Sequence, residues 1–300
     1  MIRFGVFLPQ WRLSFVDISH RARVAEEVGF DHVWLMDHLW APATPDEPCL
    51  EAWTTATALA MCTERIRLGH MVLCSAFRHP SVLAKMATTL DVISGGRLDL
   101  GLGWGSVPAE LEAFGVGFDA PADRAAQLGE TLEILDLLWS GERVTYTGEH
   151  FRLDGAIQRP RPVEGRVPIH IGGAGRTLTM PLVREHADWW NCVSYGVADL
   201  EELRPLAGNA RVSVQHPVAL VTEPARRDEI LAQAQRRFGA WGGLVVGSPE
   251  EIAEALRSEV ALGVEAFVIQ FSDFGRPETL RAFAREVIPR VRQSSRARPK

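Results

Sequence analysis

The residues in this chain best equipped for chemistry are an acid and an imidazole side by side, Asp37 and His38 in the stretch MDHL. A histidine gives or takes a proton near neutral pH, or donates to a ring carbonyl. Asp37 could hold that imidazole or a backbone group. Two glycine-rich stretches offer a different service. RLDLGLGWGS carries Gly101, Gly103 and Gly105 where an apolar run ends, and IGGAGRTL carries Gly172, Gly173, Ala174, Gly175, Arg176 and Thr177 between an apolar run and a helical one. Backbone N–H groups at the start of a helix attract phosphate, here with Arg176 as a charged donor and Thr177 as a hydroxyl. The first stretch is not a dinucleotide fingerprint, because Ser106 stands where Gly-x-Gly-x-x-Gly requires its third glycine. Its glycines either relieve crowding at a strand end or let something flat come close.

Other chemistries lack their patterns. The nine histidines form no H-x-H or H-E-x-x-H, so no metal site is expected, and G-x-S-x-G is absent. His79, in FRHP, reads as the cap of a helix opened by Pro80. A net charge of −6 provides no basic field for nucleic acid or an anionic membrane. Four cysteines without a C-x-x-C pair point to a reducing cytoplasm, and no apolar run approaches the ~20 residues of a membrane span. The basic stretch at 292–300 reads as a solvated tail.

The elements that must position these residues alternate along the chain. Strand-like runs at 2–8, 31–37, 66–74, 97–102, 167–172, 187–193, 211–222 and 264–272 are each followed by a helical run. The fourth helix is delayed to 121–139, and a hairpin-like segment follows it. Eight strands each followed by a helix predict an α/β fold, a closed (β/α)8 TIM barrel in one domain over 1–300, with an insertion after strand four at about 104–165. In such a barrel the chemistry gathers where strands end. Trp11, Trp40, Trp104 and Tyr195 all fall there, and ring-rich walls with few charges suit a planar cofactor or an apolar substrate.

The segments GFDHVWLMDHL, RIRLGHMVLCSAFRHPSVLAKMATTLDVISGGRLDLGLGWG, AELEAFGVGF, PIHIGGAGRTL and VVGSPEEIAEAL together resemble the bacterial luciferase-like monooxygenase superfamily, over about residues 3–290. Within it the chain looks most like the coenzyme F-420-dependent oxidoreductases. The resemblance implies a flavin-type ring, F-420 or alternatively FMN, lying over Met71 and Val72, where family members often have a non-proline cis peptide. It sets Cys74 beside the ring, Gly103, Trp104, Gly105 and Ser106 along the ring and its tail, and Gly172 to Thr177 around the phosphate. Asp37 and His38 match the acid–histidine pair, with His38 as proton donor or acceptor, while Trp11, Trp40 and Tyr195 face a small, largely apolar substrate. Arg176 and Arg78 would meet the acidic tail of F-420. Sugar-phosphate dehydrogenases of the group carry Glu where this chain has Ser106. A homodimer is implied, with hydride transfer as the activity. The alternatives are an FMN monooxygenase fed by a separate reductase, and a flavin-binding protein without catalysis.

Overall fold

The computed structural model describes residues 1–42 and 44–296. Twelve strands are present among them: β1 (Arg3–Phe7), β2 (His32–Leu35), β3 (Arg67–His70), β4 (Leu73–Cys74), β5 (Leu98–Gly103), β6 (Val144–Thr147), β7 (Arg152–Ala156), β8 (Ile169–Gly172), β9 (Trp189–Cys192), β10 (Arg211–Leu220), β11 (Val245–Gly247) and β12 (Ala266–Phe271). All pairings in the main sheet are parallel, in the order β12-β1-β2-β3-β5-β8-β9-β10, and β10 pairs with β12 to close the ring. The third predicted strand is split: β3 and β4 both pair with β5, and the Met71–Val72 bond between them is cis. This closed parallel barrel is the (β/α)8 fold expected from the alternation. One strand was not foreseen, β11, which lies outside the ring and pairs with β10.

Several helices start and stop at their sequence signals, while the run expected as one last helix at 276–292 divides into two. Helix α1 (Phe15–Val28) begins at a capping box between Ser14 and Asp17 and ends at Gly29, whose φ of 90° suits a residue without Cβ. Helices α2 (Ala52–Cys62) and α3 (Pro80–Ser94) follow, the latter capped by His79 accepting from the Ser81 N–H. The segment between β5 and β8 holds α4 (Pro108–Ala113), α5 (Pro121–Trp139) and the antiparallel β6–β7 hairpin. The outer ring is completed by α6 (Thr179–His186), α7 (Leu200–Leu203), α8 (Arg227–Phe238), α9 (Pro249–Ala261), α10 (Pro277–Glu286) and α11 (Ile288–Arg296). The expected solvated tail begins too early: Arg292, in α11, donates to the Ile2 carbonyl and to Asp31. Residues 297–300 lie outside the described part.

Three layers inside the barrel support the site. At the floor, Asp99 of β5 accepts from His32 (2.9 Å), His170 (3.4 Å) and Arg67. Above it Trp34 stacks on His32 with ring centroids 5.0 Å apart. Gly5 and Gly69 make room for that indole, since a Cβ on either would stand 2.3–2.4 Å from it. A third layer of Phe7, Met36, Met71 and Val268 covers the tryptophan.

Candidate functional site

On top of this plug a cavity of about 750 Å³ runs across the carboxyl ends of the strands. Its wall brings together Asp37, His38, Met71, Val72, Cys74, Gly103 to Ser106, Gly172 to Gly175 and Tyr195. Five expected residues are not in that wall. Trp11 spends its indole N–H on Glu47 and lies against Arg12, 4.4 Å from the ring centroid, while Trp40 sits edge-on to Phe114. Arg176 is half exposed and paired with Glu202, and Thr177 is absent from the wall with it. The cause is local: α6 starts at Thr179 rather than 175, so the loop carries Arg176 outward and Thr179 into the wall. Arg78 too is committed, to both oxygens of Asp37 and to Glu51.

The glycines of RLDLGLGWGS serve the strand beside them. A Cβ on Gly101 would stand 2.0 Å from the His70 carbonyl oxygen, and one on Gly103 would stand 2.7 Å from a Val72 methyl. Gly172, on the next strand β8, would meet the other Val72 methyl at 2.9 Å. Three positions on two strands, β5 and β8, are therefore bare so that the chain at His70 to Val72 can lean inward and present an apolar platform. Crowding and close approach are thus one device, in which the glycines admit Val72 and Val72 faces the cavity.

Asp37 and His38 do not pair. The Asp37 carboxylate, almost fully buried, accepts from the Cys74 N–H (2.9 Å) and from Arg78 (2.7 and 2.9 Å). It fixes the backbone next to the platform. His38 Nδ1 instead donates to Glu110 of α4 at 2.9 Å. The other Glu110 oxygen accepts the backbone N–H groups of Leu39 (2.6 Å) and Trp40 (3.2 Å). Burial alone would raise the Glu110 carboxyl, but these hydrogen bonds prevail and hold it below its ordinary value of 4.5. An ionised Glu110 can only accept, so the hydrogen sits on Nδ1 and Nε2 is left for the cavity. Glu110 escaped the sequence reading because it lies 72 residues from His38, inside the insertion. Its one sequence trace is the AELEAF segment after the glycine stretch.

The remaining wall is quiet. Burial pushes the Cys74 thiol up to about 11, so it stays neutral and unreactive. Trp104 donates its indole N–H to Thr179 at 3.3 Å, joining the β5 and β8 sides of the cavity. Among the described residues, no group of three or more His, Cys, Asp and Glu is placed to hold a metal, and no helix is long and apolar enough to cross a membrane.

A flavin-type tricycle fits this wall on three counts. The platform of Met71 and Val72 is apolar, the Gly172 to Gly175 loop with Thr179 offers backbone and hydroxyl donors, and His38 offers an imidazole nitrogen. The luciferase-like monooxygenase profile matches residues 2–212, and the chain belongs to that family. It is 30% identical to an F-420-dependent glucose-6-phosphate dehydrogenase of Microbacterium testaceum, over 97% of this chain and 98% of the relative. Its fold matches an F-420-dependent secondary alcohol dehydrogenase solved with an F-420–acetone adduct, at TM-score 0.80 and 21% identity over 97% of this chain and 99% of that one. It also matches the FMN-bound oxygenating constituent of a diketocamphane monooxygenase from Pseudomonas putida, at TM-score 0.77 and 18% identity over 97% and 99% of the two chains.

Proposed function

We propose that this protein is an oxidoreductase that binds coenzyme F-420 in the cavity and interconverts an alcohol and a carbonyl on a small-molecule substrate. The observation that carries the reading is the His38–Glu110 pair, which leaves one basic nitrogen of His38 at the edge of the platform. The identity to an F-420-dependent dehydrogenase over nearly the whole chain supports the cofactor. When bound, the deazaflavin supplies hydride exchange. The protein's part is the proton: His38 Nε2 takes it from an alcohol being oxidised and returns it to a carbonyl being reduced. Glu110 stabilises the imidazolium formed in between. Asp37 and Arg78 lock the turn at Cys74, Val72 and Met71 support one face of the ring, and the Gly172 to Gly175 loop with Thr179 holds the phosphate. Tyr195 stands at the rim over the substrate.

One observation favours a second reading, an FMN monooxygenase fed by a partner reductase. Both arginines expected to meet the acidic tail of F-420 are paired with protein carboxylates. A flavin carrier without catalysis is disfavoured by a basic nitrogen held ready at the platform. The same proposal takes the protein as a homodimer in a reducing cytoplasm, consistent with four unpaired cysteines.

The test is a titration of the purified protein with each cofactor, followed by absorbance, together with turnover of His38→Ala. Binding of F-420 with a turnover loss of about 10²-fold or more, at unchanged cofactor affinity, is the expected result. Binding of FMN alone assigns the monooxygenase reading. Near-normal turnover in His38→Ala removes the histidine from the mechanism.

A further inference from the structure

Arg124 lies in the first turns of α5, inside the insertion, and is 6% exposed. Its guanidinium is held between two rings, 4.6 Å from the centroid of Trp104 and 3.8 Å from that of Phe118. Every hydrogen bond it makes ends on a backbone carbonyl: Nε donates to Asp119 (3.0 Å), and Nη1 donates to Trp104 (3.2 Å) and Gly105 (2.6 Å). Gly105, at a φ of +80°, turns the chain there in a conformation that favours glycine. Among the described residues Nη2 has no hydrogen-bond partner and no carboxylate pairs with the guanidinium.

Arg97 shows what a purely structural arginine looks like in this protein. It also lacks an acidic partner, yet all three of its nitrogens are spent, on Ser94, Thr63, Ile66 and Ala60. Arg124 differs in leaving one nitrogen unused, and it lines the cavity. Among the described residues it is the one arginine in that wall, and no lysine joins it. Of the acids in the wall among the described residues, Asp37 is held by Arg78 and Glu110 by His38, while Asp199 makes no ion pair with the guanidinium; the Asp119 carboxylate acts on Arg124 only from beyond ion-pair distance. The Cys74 thiol, on the same side of Gly105, is neutral. A buried cation costs free energy unless a counter-charge arrives, and the aromatic sandwich offsets only part of that cost.

We propose that Arg124 is an anion-recognition site, at which Nη2 receives a carboxylate or phosphate oxygen of the molecule bound in the cavity. A guanidinium edge suits both groups. The inference deepens the functional reading above, since it rests on the cavity being the ligand site. It also changes the expected substrate class: an apolar body carrying one anionic group fits this wall better than a wholly apolar molecule. If the anion belongs instead to the cofactor, it is that molecule's own phosphate or acidic tail.

The experiment compares benzoate with its neutral isostere benzamide by calorimetry, on the wild type, Arg124→Lys and Arg124→Gln, each with and without saturating FMN or F-420. The wild type is expected to bind benzoate at least tenfold tighter than benzamide. Arg124→Gln should reduce the preference to under twofold, and Arg124→Lys should keep an intermediate one. A preference that persists when cofactor is bound assigns the site to the substrate, and a preference that the cofactor abolishes assigns it to the cofactor's anionic group. Absence of any preference in the wild type overturns the proposal without reference to a variant, as does a full preference in a folded Arg124→Gln. Because the anion preference itself is read on the cofactor-free arm, failure of both cofactors to bind would sink the functional reading while leaving that preference intact.

Discussion

Replacing Glu110 by Gln should disarm His38 while leaving it in place. In the wild type one carboxylate oxygen accepts the Leu39 and Trp40 N–H groups and the other accepts His38 Nδ1. A Gln side chain can keep its oxygen on the two backbone amides, but its NH2 then faces Nδ1. Two donors cannot share that position, so Nδ1 must become an acceptor and the hydrogen must move to Nε2. The cavity then meets a donor where a base stood. A positioned general base contributes ~10²–10⁴-fold, so alcohol oxidation should slow by at least about 10²-fold. A charge-assisted hydrogen bond contributes ~1.5–3 kcal/mol and a neutral one ~0.5–1.5, so stability should fall by about 1–2 kcal/mol, with cofactor affinity preserved. The pH dependence has a definite sign. A carboxyl whose folded value is depressed contributes stability that is complete above its ordinary value of 4.5 and lost as pH falls through the folded value. Glu110→Gln should therefore flatten the acid limb of the stability profile below about pH 4.5. Nitrogen-15 shifts of the labelled His38 ring report the tautomer directly. An unchanged tautomer, or a switched tautomer with normal turnover, would refute the reasoning.

The other expectations probe the supports of the site. Gly172→Ala should impair cofactor binding because its Cβ meets Val72, and adding Val72→Ala should restore it; Gly101→Ala meets the backbone oxygen of His70 and should not be rescued the same way. Affinities of the single and double variants decide this, and rescue of Gly101→Ala would undo the account of the platform. Asp99→Asn should cost about 3–5 kcal/mol, as breaking a buried ion pair does, with His38 chemistry intact in protein that stays folded; calorimetric melting set against turnover separates the two effects. Arg176→Ala should leave cofactor affinity within twofold of the wild type, whereas Thr179→Val, which removes the hydroxyl that meets Trp104, should weaken it at least threefold. The reverse order in a cofactor titration would return Arg176 to the phosphate site.

Much of the barrel was legible because its signals are local. Strand runs such as VPIHIG are mostly apolar, as strands buried on both faces tend to be, and Ser14, Gly29, Pro80 and Pro121 mark helix ends by their own backbone chemistry. The same locality misled at Arg176 and Thr177. IGGAGRTL promises a helix from 175, but α6 starts four residues later, and this delay turns one side chain out and another in. Position relative to a strand end was also too coarse a rule for Trp11 and Trp40, whose rings find partners in Arg12, Glu47 and Phe114.

The chemistry of the site was the part least open to sequence reading, because its decisive partners come from far along the chain. Asp37 adjoins His38 in sequence, yet successive side chains leaving a strand point in different directions. Asp37 turned to Arg78, 41 residues on, and His38 turned to Glu110, 72 residues on. Glu110 and Arg124 both belong to the segment inserted between β5 and β8, which carries no strand of the barrel. The barrel thus builds the platform and its floor, while the insertion decides which nitrogen of His38 is basic and brings a buried cation to the wall. On this division, relatives with the same barrel and a different insertion would bind a flavin-type cofactor yet differ in proton handling and in the charge of the substrate they accept.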